Sequence, residues 1–129
     1  MDGYESSSYW LDLVRDDLKA AKAMLGSSLY LYTGFMCHQA IEKSLKAVIA
    51  KAGVVPPFIH NLQRLSLISG LDDLMDEAQH LLLAELMPLN VEARYPAQKQ
   101  ELLNALTEEY CTLLIKKTEA LAEWIKSRL

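Results

Sequence analysis

The sequence predicts an all-α fold, an up-down four-helix bundle with one short extra helix. Three observations carry this reading. Apolar residues recur at alternating steps of three and four over long stretches, the period of an amphipathic helix. No run shows the strict alternation of a half-buried strand. Only five Gly and four Pro stand among 129 residues, too few for the many turns of an all-β fold.

The first helix is expected over 8–25, where Leu11, Val14, Leu18, Ala21 and Leu25 form one apolar face. Ser7 or Ser8 can cap its start, and Asp12 suits the positive end of its dipole. Gly26-Ser27-Ser28 ends it and can cap the next helix. The second helix is expected over 29–51, burying Cys37, Ile41, Leu45, Val48 and Ala52. His38, Gln39, Glu42, Lys43 and Lys46 fall within one arc of about 140°, a charged stripe beside the apolar one. Glu42 and Lys46 stand in the favourable i,i+4 order for an ion pair, read here as a surface pair. Gly53 and Pro56-Pro57 end this helix in an extended turn.

A short helix is expected over 60–69, with Leu62, Leu65 and Ile68 apolar. A third main helix should run from Leu71-Asp72-Asp73 to Met87, capped by Asp72 or Asp73, with Leu74, Ala78, Leu81 and Leu82 inward. Residues 88–98 read as the longest irregular connection, a place where function concentrates. The last helix is expected over 99–128, with a stripe of Leu103, Leu106, Tyr110, Leu113, Lys117, Leu121 and Trp124. As one rod it would be roughly 45 Å long. The short first connection makes the first two helices antiparallel neighbours.

Length predicts one domain over 1–129. The composition is that of a globular chain, 51% hydrophobic and 23% charged. The net charge of −4 lacks the broad basic footprint of a nucleic-acid backbone binder, so no DNA partner is expected and any RNA contact would be local. Cys37 and Cys111 have no Cys or His at zinc-ligand spacing and read as buried free thiols. Residues 1–10 contain no apolar leader core, and the most apolar stretch, 81–91, is interrupted by Glu85 and Pro88. A soluble, cytoplasmic protein with no membrane partner is expected.

No glycine-rich phosphate loop occurs. His38 and Glu42 have a spacing that can hold a metal, with Asp76, Glu77 and His80 as conceivable partners. The inward Glu plus Glu-x-x-His pair of di-iron bundles, with that motif on each of two helices, is missing, so no metal and no cofactor are expected. His60 reads either as a residue fixing the start of the short helix or as a proton donor or acceptor near a phosphate. Arg94-Tyr95-Pro96 can clamp a phosphate bidentately while the ring covers the site, or can pack structurally over the helices. Tyr30, Tyr32, Phe35 and Met36 read as core or dimer surface, with a base-stacking platform as the alternative.

Trp10, the segment 18–25, Tyr30 to Phe35, the block Gln39-Ala40-Ile41-Glu42-Lys43-Ser44-Leu45-Lys46-Ala47, His60-Asn61-Leu62 and Ala93-Arg94-Tyr95-Pro96 follow one another along nearly the whole chain. In that order they resemble the HEPN family, helical domains named for higher eukaryotes and prokaryotes nucleotide-binding. The resemblance implies a homodimer, a tie to nucleotides or RNA, and a minimal nucleotidyltransferase as partner in a toxin–antitoxin-like system. Catalytic members are metal-independent ribonucleases with an Arg-x(4–6)-His motif. Here none of Arg15, Arg64, Arg94 or Arg128 has a histidine at that spacing. The resemblance therefore favours a non-catalytic module with no catalytic residues, binding a phosphate-bearing ligand or a partner through Lys43, Lys46, Arg94, Tyr95 and His60. A ribonuclease with a non-standard Arg94/His60 site and a purely structural dimerisation bundle remain the alternatives.

Overall fold

A computed structural model describes the backbone of residues 3–90 and 96–129, with the surroundings of side chains 7–90 and 100–129. The regular structure among the described residues is all helical, with no strand. In chain order they form α1 (Gly3–Gly26), α2 (Tyr30–Lys51) and α3 (Leu62–Ile68), then a 3₁₀ turn at Asp72–Leu74. Next come α4 (Glu77–Leu86), a second 3₁₀ turn at Met87–Asn90, α5 (Pro96–Ala105) and α6 (Glu108–Lys126).

The α1–α2 hairpin is the frame. The two helices pack along much of their length, and α6 lies against both. The remaining face of α2 receives α3, α4 and the Met87–Asn90 turn. Enclosed in this way, α2 buries almost every turn, including Cys37, Ile41, Leu45 and Ile49. Each such aliphatic side chain contributes roughly 1.5–3 kcal/mol when removed from water. The polar groups of α2 therefore face protein as well, and that fact governs the site below. Gly34 lets α2 and the second 3₁₀ turn approach closely: a Cβ there would stand 3.2 Å from Leu89 Cδ1.

The bounds of α2 and the end of α1 match expectation to within a residue, but α1 begins at Gly3, so Ser7 and Ser8, expected to cap it, lie inside the helix, and no serine caps α2. Leu29 occupies that position without a side-chain cap. Ser28 takes the left-handed region (φ 60), and the amides of Ser27, Ser28 and Leu29 close the turn on carbonyls of α1.

Three expectations are corrected. The helix expected from Leu71 to Met87 begins instead at Glu77. Asp76 forms a reciprocal capping box with Gln79, which satisfies two orphan donors at that point. The reset turns Leu82, Leu83 and Leu86 inward and leaves Leu74, Ala78 and Leu81 exposed. The single rod expected over 99–128 is two helices. Thr107 caps α6 by accepting from the Tyr110 amide at 3.1 Å, while Leu106 is buried in the break. The phase shifts, so α6 buries Cys111, Leu114, Ile115, Thr118, Leu121, Ala122 and Ile125, and Leu103 and Leu113 are exposed. Ala52, expected on the buried face of α2, lies exposed beyond its end. No described helix is long and apolar enough to cross a membrane.

Candidate functional site

Residues one turn apart on a helix share a face, so the sequence stacks His38, Glu42 and Lys46 along one side of α2. Because α2 is enclosed, this stripe is buried. The Glu42 side chain is 5% exposed and the Lys46 side chain 6%, which corrects the expectation of a surface pair. Lys46 Nζ donates to Glu42 Oε2 at 3.0 Å and lies 5.6 Å from the centroid of the Trp10 ring on α1. Its charge is thus met by a carboxylate and by an aromatic face.

The connection between α2 and α3 delivers a third group. Gly53, at φ +83, turns the chain out of α2, and Pro56-Pro57 hold it free of helix. Asn61 then caps α3 by accepting from the Arg64 amide at 3.0 Å, and Leu62 is buried behind it. Fixed at both ends, the connection sets His60 Nδ1 at 3.0 and 3.1 Å from the two oxygens of Glu42. The His60 side chain is nevertheless 63% exposed. One buried carboxylate therefore serves a buried ammonium on one side and a solvent-facing imidazole on the other.

His38 closes the cluster from inside. Its Nδ1 lies 3.8 Å from Glu42 Oε1, and neither ring nitrogen completes a hydrogen bond. Burial pushes its pKa down to about 4, against the smaller upward pull of Glu42 and of the His60 main chain. It is a neutral ring at ordinary pH.

Lys43 is on the neighbouring face and makes a 2.8 Å ion pair with Asp17 of α1. Burial raises the Asp17 pKa more than Lys43 lowers it. Of the expected site residues, then, Lys46 and His60 meet at Glu42, and Lys43 is engaged separately with Asp17. Arg94 and Tyr95 lie outside the described residues, as does any juxtaposition of Arg94 with His60. Asn61, not His60, caps the short helix.

The metal alternative finds no cluster: among the described residues no group of three or more His, Cys, Asp and Glu is placed to hold an ion. His80 instead meets Asp72, with Nε2 3.0 Å from the main-chain oxygen. Cys37 and Cys111 are buried free thiols, as expected, and burial pushes Cys37 up to about 12. Neither is an activated nucleophile. Sequence reasoning missed Glu42 as the centre of the site, because its contact with His60 spans 18 residues. It also missed Trp10 and Asp17 as partners of the lysines.

These features define an all-helical module with a buried ionic centre and one polar group facing out, and with no phosphate loop. A family model described as the HEPN domain matches residues 7–128. The chain belongs to the HEPN domain family. No match was found among curated proteins, nor among solved structures.

Proposed function

We propose that residues 1–129 form a single-domain, non-catalytic HEPN module in an up-down four-helix arrangement. It works as a homodimer and binds a minimal nucleotidyltransferase partner, or the nucleotide such a partner handles, in a toxin–antitoxin-like system. The contact surface is centred on His60, with Arg94 and Tyr95 supplying phosphate and ring contacts. One observation carries this reading: an exposed His60 is held from behind by the buried Glu42. A side chain anchored in this way presents a fixed polar group to a partner at little further ordering cost.

Lys43 and Lys46 are matched by Asp17 and Glu42 at 2.8 and 3.0 Å, so they support the surface from within rather than supplying its free cations. Isothermal titration with nucleotides and with a purified minimal nucleotidyltransferase tests the proposal. Binding of either, weakened at least tenfold by His60→Ala, is expected. No binding of either sinks it. The ribonuclease alternative draws on the same Glu42–His60 pair, whose geometry also suits a base. RNA cleavage in EDTA that is lost in both His60→Ala and Arg94→Ala variants would establish that alternative instead.

A further inference from the structure

A carboxylate that already accepts from an ammonium can only accept again. Glu42 takes a hydrogen bond from Lys46, so the close contacts from His60 Nδ1 to both of its oxygens require the proton to be on Nδ1. In the neutral imidazole the other nitrogen, Nε2, then carries the lone pair. The ring is largely exposed while Nδ1 is turned to the buried carboxylate, so Nε2 is the nitrogen available to a ligand.

The charges behind the ring cancel. Lys46 offsets Glu42, Lys43 offsets Asp17, and His38 is an enclosed uncharged ring. With the ring neutral, a phosphate arriving at His60 would meet a lone pair and a neutral cluster, with no uncompensated cation in that cluster to hold it. A hydroxyl or N–H would meet an oriented acceptor. Two residues upstream, in the same uncharged stretch after α2, the Phe58 side chain is 96% exposed. A bare ring so near in the chain offers a stacking face to a planar, uncharged group.

We infer that the outer edge of His60 is a hydrogen-bond acceptor site for the uncharged nucleoside part of a ligand, through a hydroxyl or a base N–H. Glu42 is its positioning residue, and the site does not bind phosphate. This rests on the nucleotide half of the proposed function. It departs from the notion that this cluster holds the phosphate, which leaves that task to groups elsewhere on the chain.

Nitrogen NMR of the His60 ring at pH 8 tests it on the intact chain. The expected spectrum shows Nδ1 protonated and Nε2 bare. Glu42→Asp, which keeps the charge but withdraws the carboxylate by one methylene, should shift the population toward the Nε2–H form. Dominance of the Nε2–H form in the unaltered chain overturns the inference. Adenosine, adenosine monophosphate and inorganic phosphate are then titrated separately. The first two should move the His60 signals at similar concentrations and inorganic phosphate should not. His60→Ala should weaken adenosine binding about tenfold, the loss of one hydrogen bond.

Phosphate moving the ring as strongly as the monophosphate makes this an anion site and overturns the inference. So does a lack of response to adenosine. If the monophosphate binds without touching the His60 signals, the module reading survives and this assignment alone fails. If no nucleotide binds, the nucleotide half of the module reading falls with it.

Discussion

Two glutamates in this molecule are built to one recipe and do different work. Glu85 on α4 accepts from Tyr110 Oη at 2.7 Å and from Lys117 Nζ at 3.0 Å, both on α6. Glu42 on α2 accepts from His60 and Lys46. Each has one lysine and one ring donor. The Glu85 side chain is 32% exposed, and its ring partner is a phenol with a single proton to give. Burial, then Glu85 itself, pushes the Tyr110 pKa up, so that proton stays in place. The phenol's one proton is spent in joining α4 to α6. At Glu42 the carboxylate is enclosed, and its ring partner is exposed with a second nitrogen to spare. The contrast separates a fastening from a site: the difference lies in which group has unused capacity where a ligand can reach it.

Removing the two carboxylates should break the comparison most widely. Glu42→Ala leaves the Lys46 ammonium buried without its carboxylate, and such losses run at about 3–5 kcal/mol. Glu85→Ala leaves Lys117 free to turn toward water but also takes the acceptor from Tyr110, and about 2–3 kcal/mol is expected for the two bonds together. Urea denaturation of both variants measures the gap. Equal losses would mean that Glu42 is as well solvated as Glu85 and that the buried centre does not exist.

Acid should distinguish the regions next. An unfolded chain protonates His38 near its ordinary value of 6.5, whereas the folded chain does so only near 4 because burial disfavours the charged ring. Between those values the unfolded state binds more protons, so stability falls as pH drops from about 6.5 to about 4. The whole window is worth roughly 3 kcal/mol. His38→Leu should flatten it in a pH series of melting curves. At Glu85 burial raises the pKa, but the hydrogen bonds from Tyr110 and Lys117 outweigh it, so the net shift is downward. Its contribution is present above the ordinary 4.5 and is lost only as pH falls below that value, so the two regions separate on one titration axis. A slope between pH 6 and 5 that persists unchanged in His38→Leu would assign it elsewhere.

A third variant tests the fastening by itself. Tyr110→Phe removes one of the two donors on Glu85 and should cost about 1.5–2 kcal/mol, the lower part of the range for a hydrogen bond to a charged group. It should leave the His60 ring signals where they are. Movement of those signals would show that the two centres are coupled rather than independent.

The sequence made α1, α2 and the Glu42–Lys46 spacing legible because those are local facts. A period of 3.6 and an i,i+4 step can be read without knowing any neighbour. Whether the stripe on α2 met water could not be read, since that depends on α1, α6 and the 52–61 connection closing over it. The His60–Glu42 contact was hidden for the same reason. Other misses had signals. Asp76-Glu77-Ala78-Gln79 is a capping-box pattern, and Thr107 followed by Glu108-Glu109 is a helix start. Both signals are masked by apolar residues that continue in near-helical rhythm across the breaks.

The smallest expected effect on stability belongs to the residue with the largest proposed role. His60 is mostly outside the core, and its contact with Glu42 is made at the edge of the buried cluster. His60→Ala leaves Lys46 on Glu42, so the carboxylate keeps a partner and no buried charge is stranded. The loss should be about 0.5–1 kcal/mol, that of a pair with one solvent-exposed member, with α3 still held by the Asn61 cap and by Leu62. A circular-dichroism melt can resolve so small a change when it is run beside Glu42→Ala. If the two variants lose similar stability, His60 is a fastening like Tyr110, and its exposure has no functional meaning. If His60→Ala melts with the unaltered chain while adenosine no longer binds, the histidine is present for the ligand rather than for the fold.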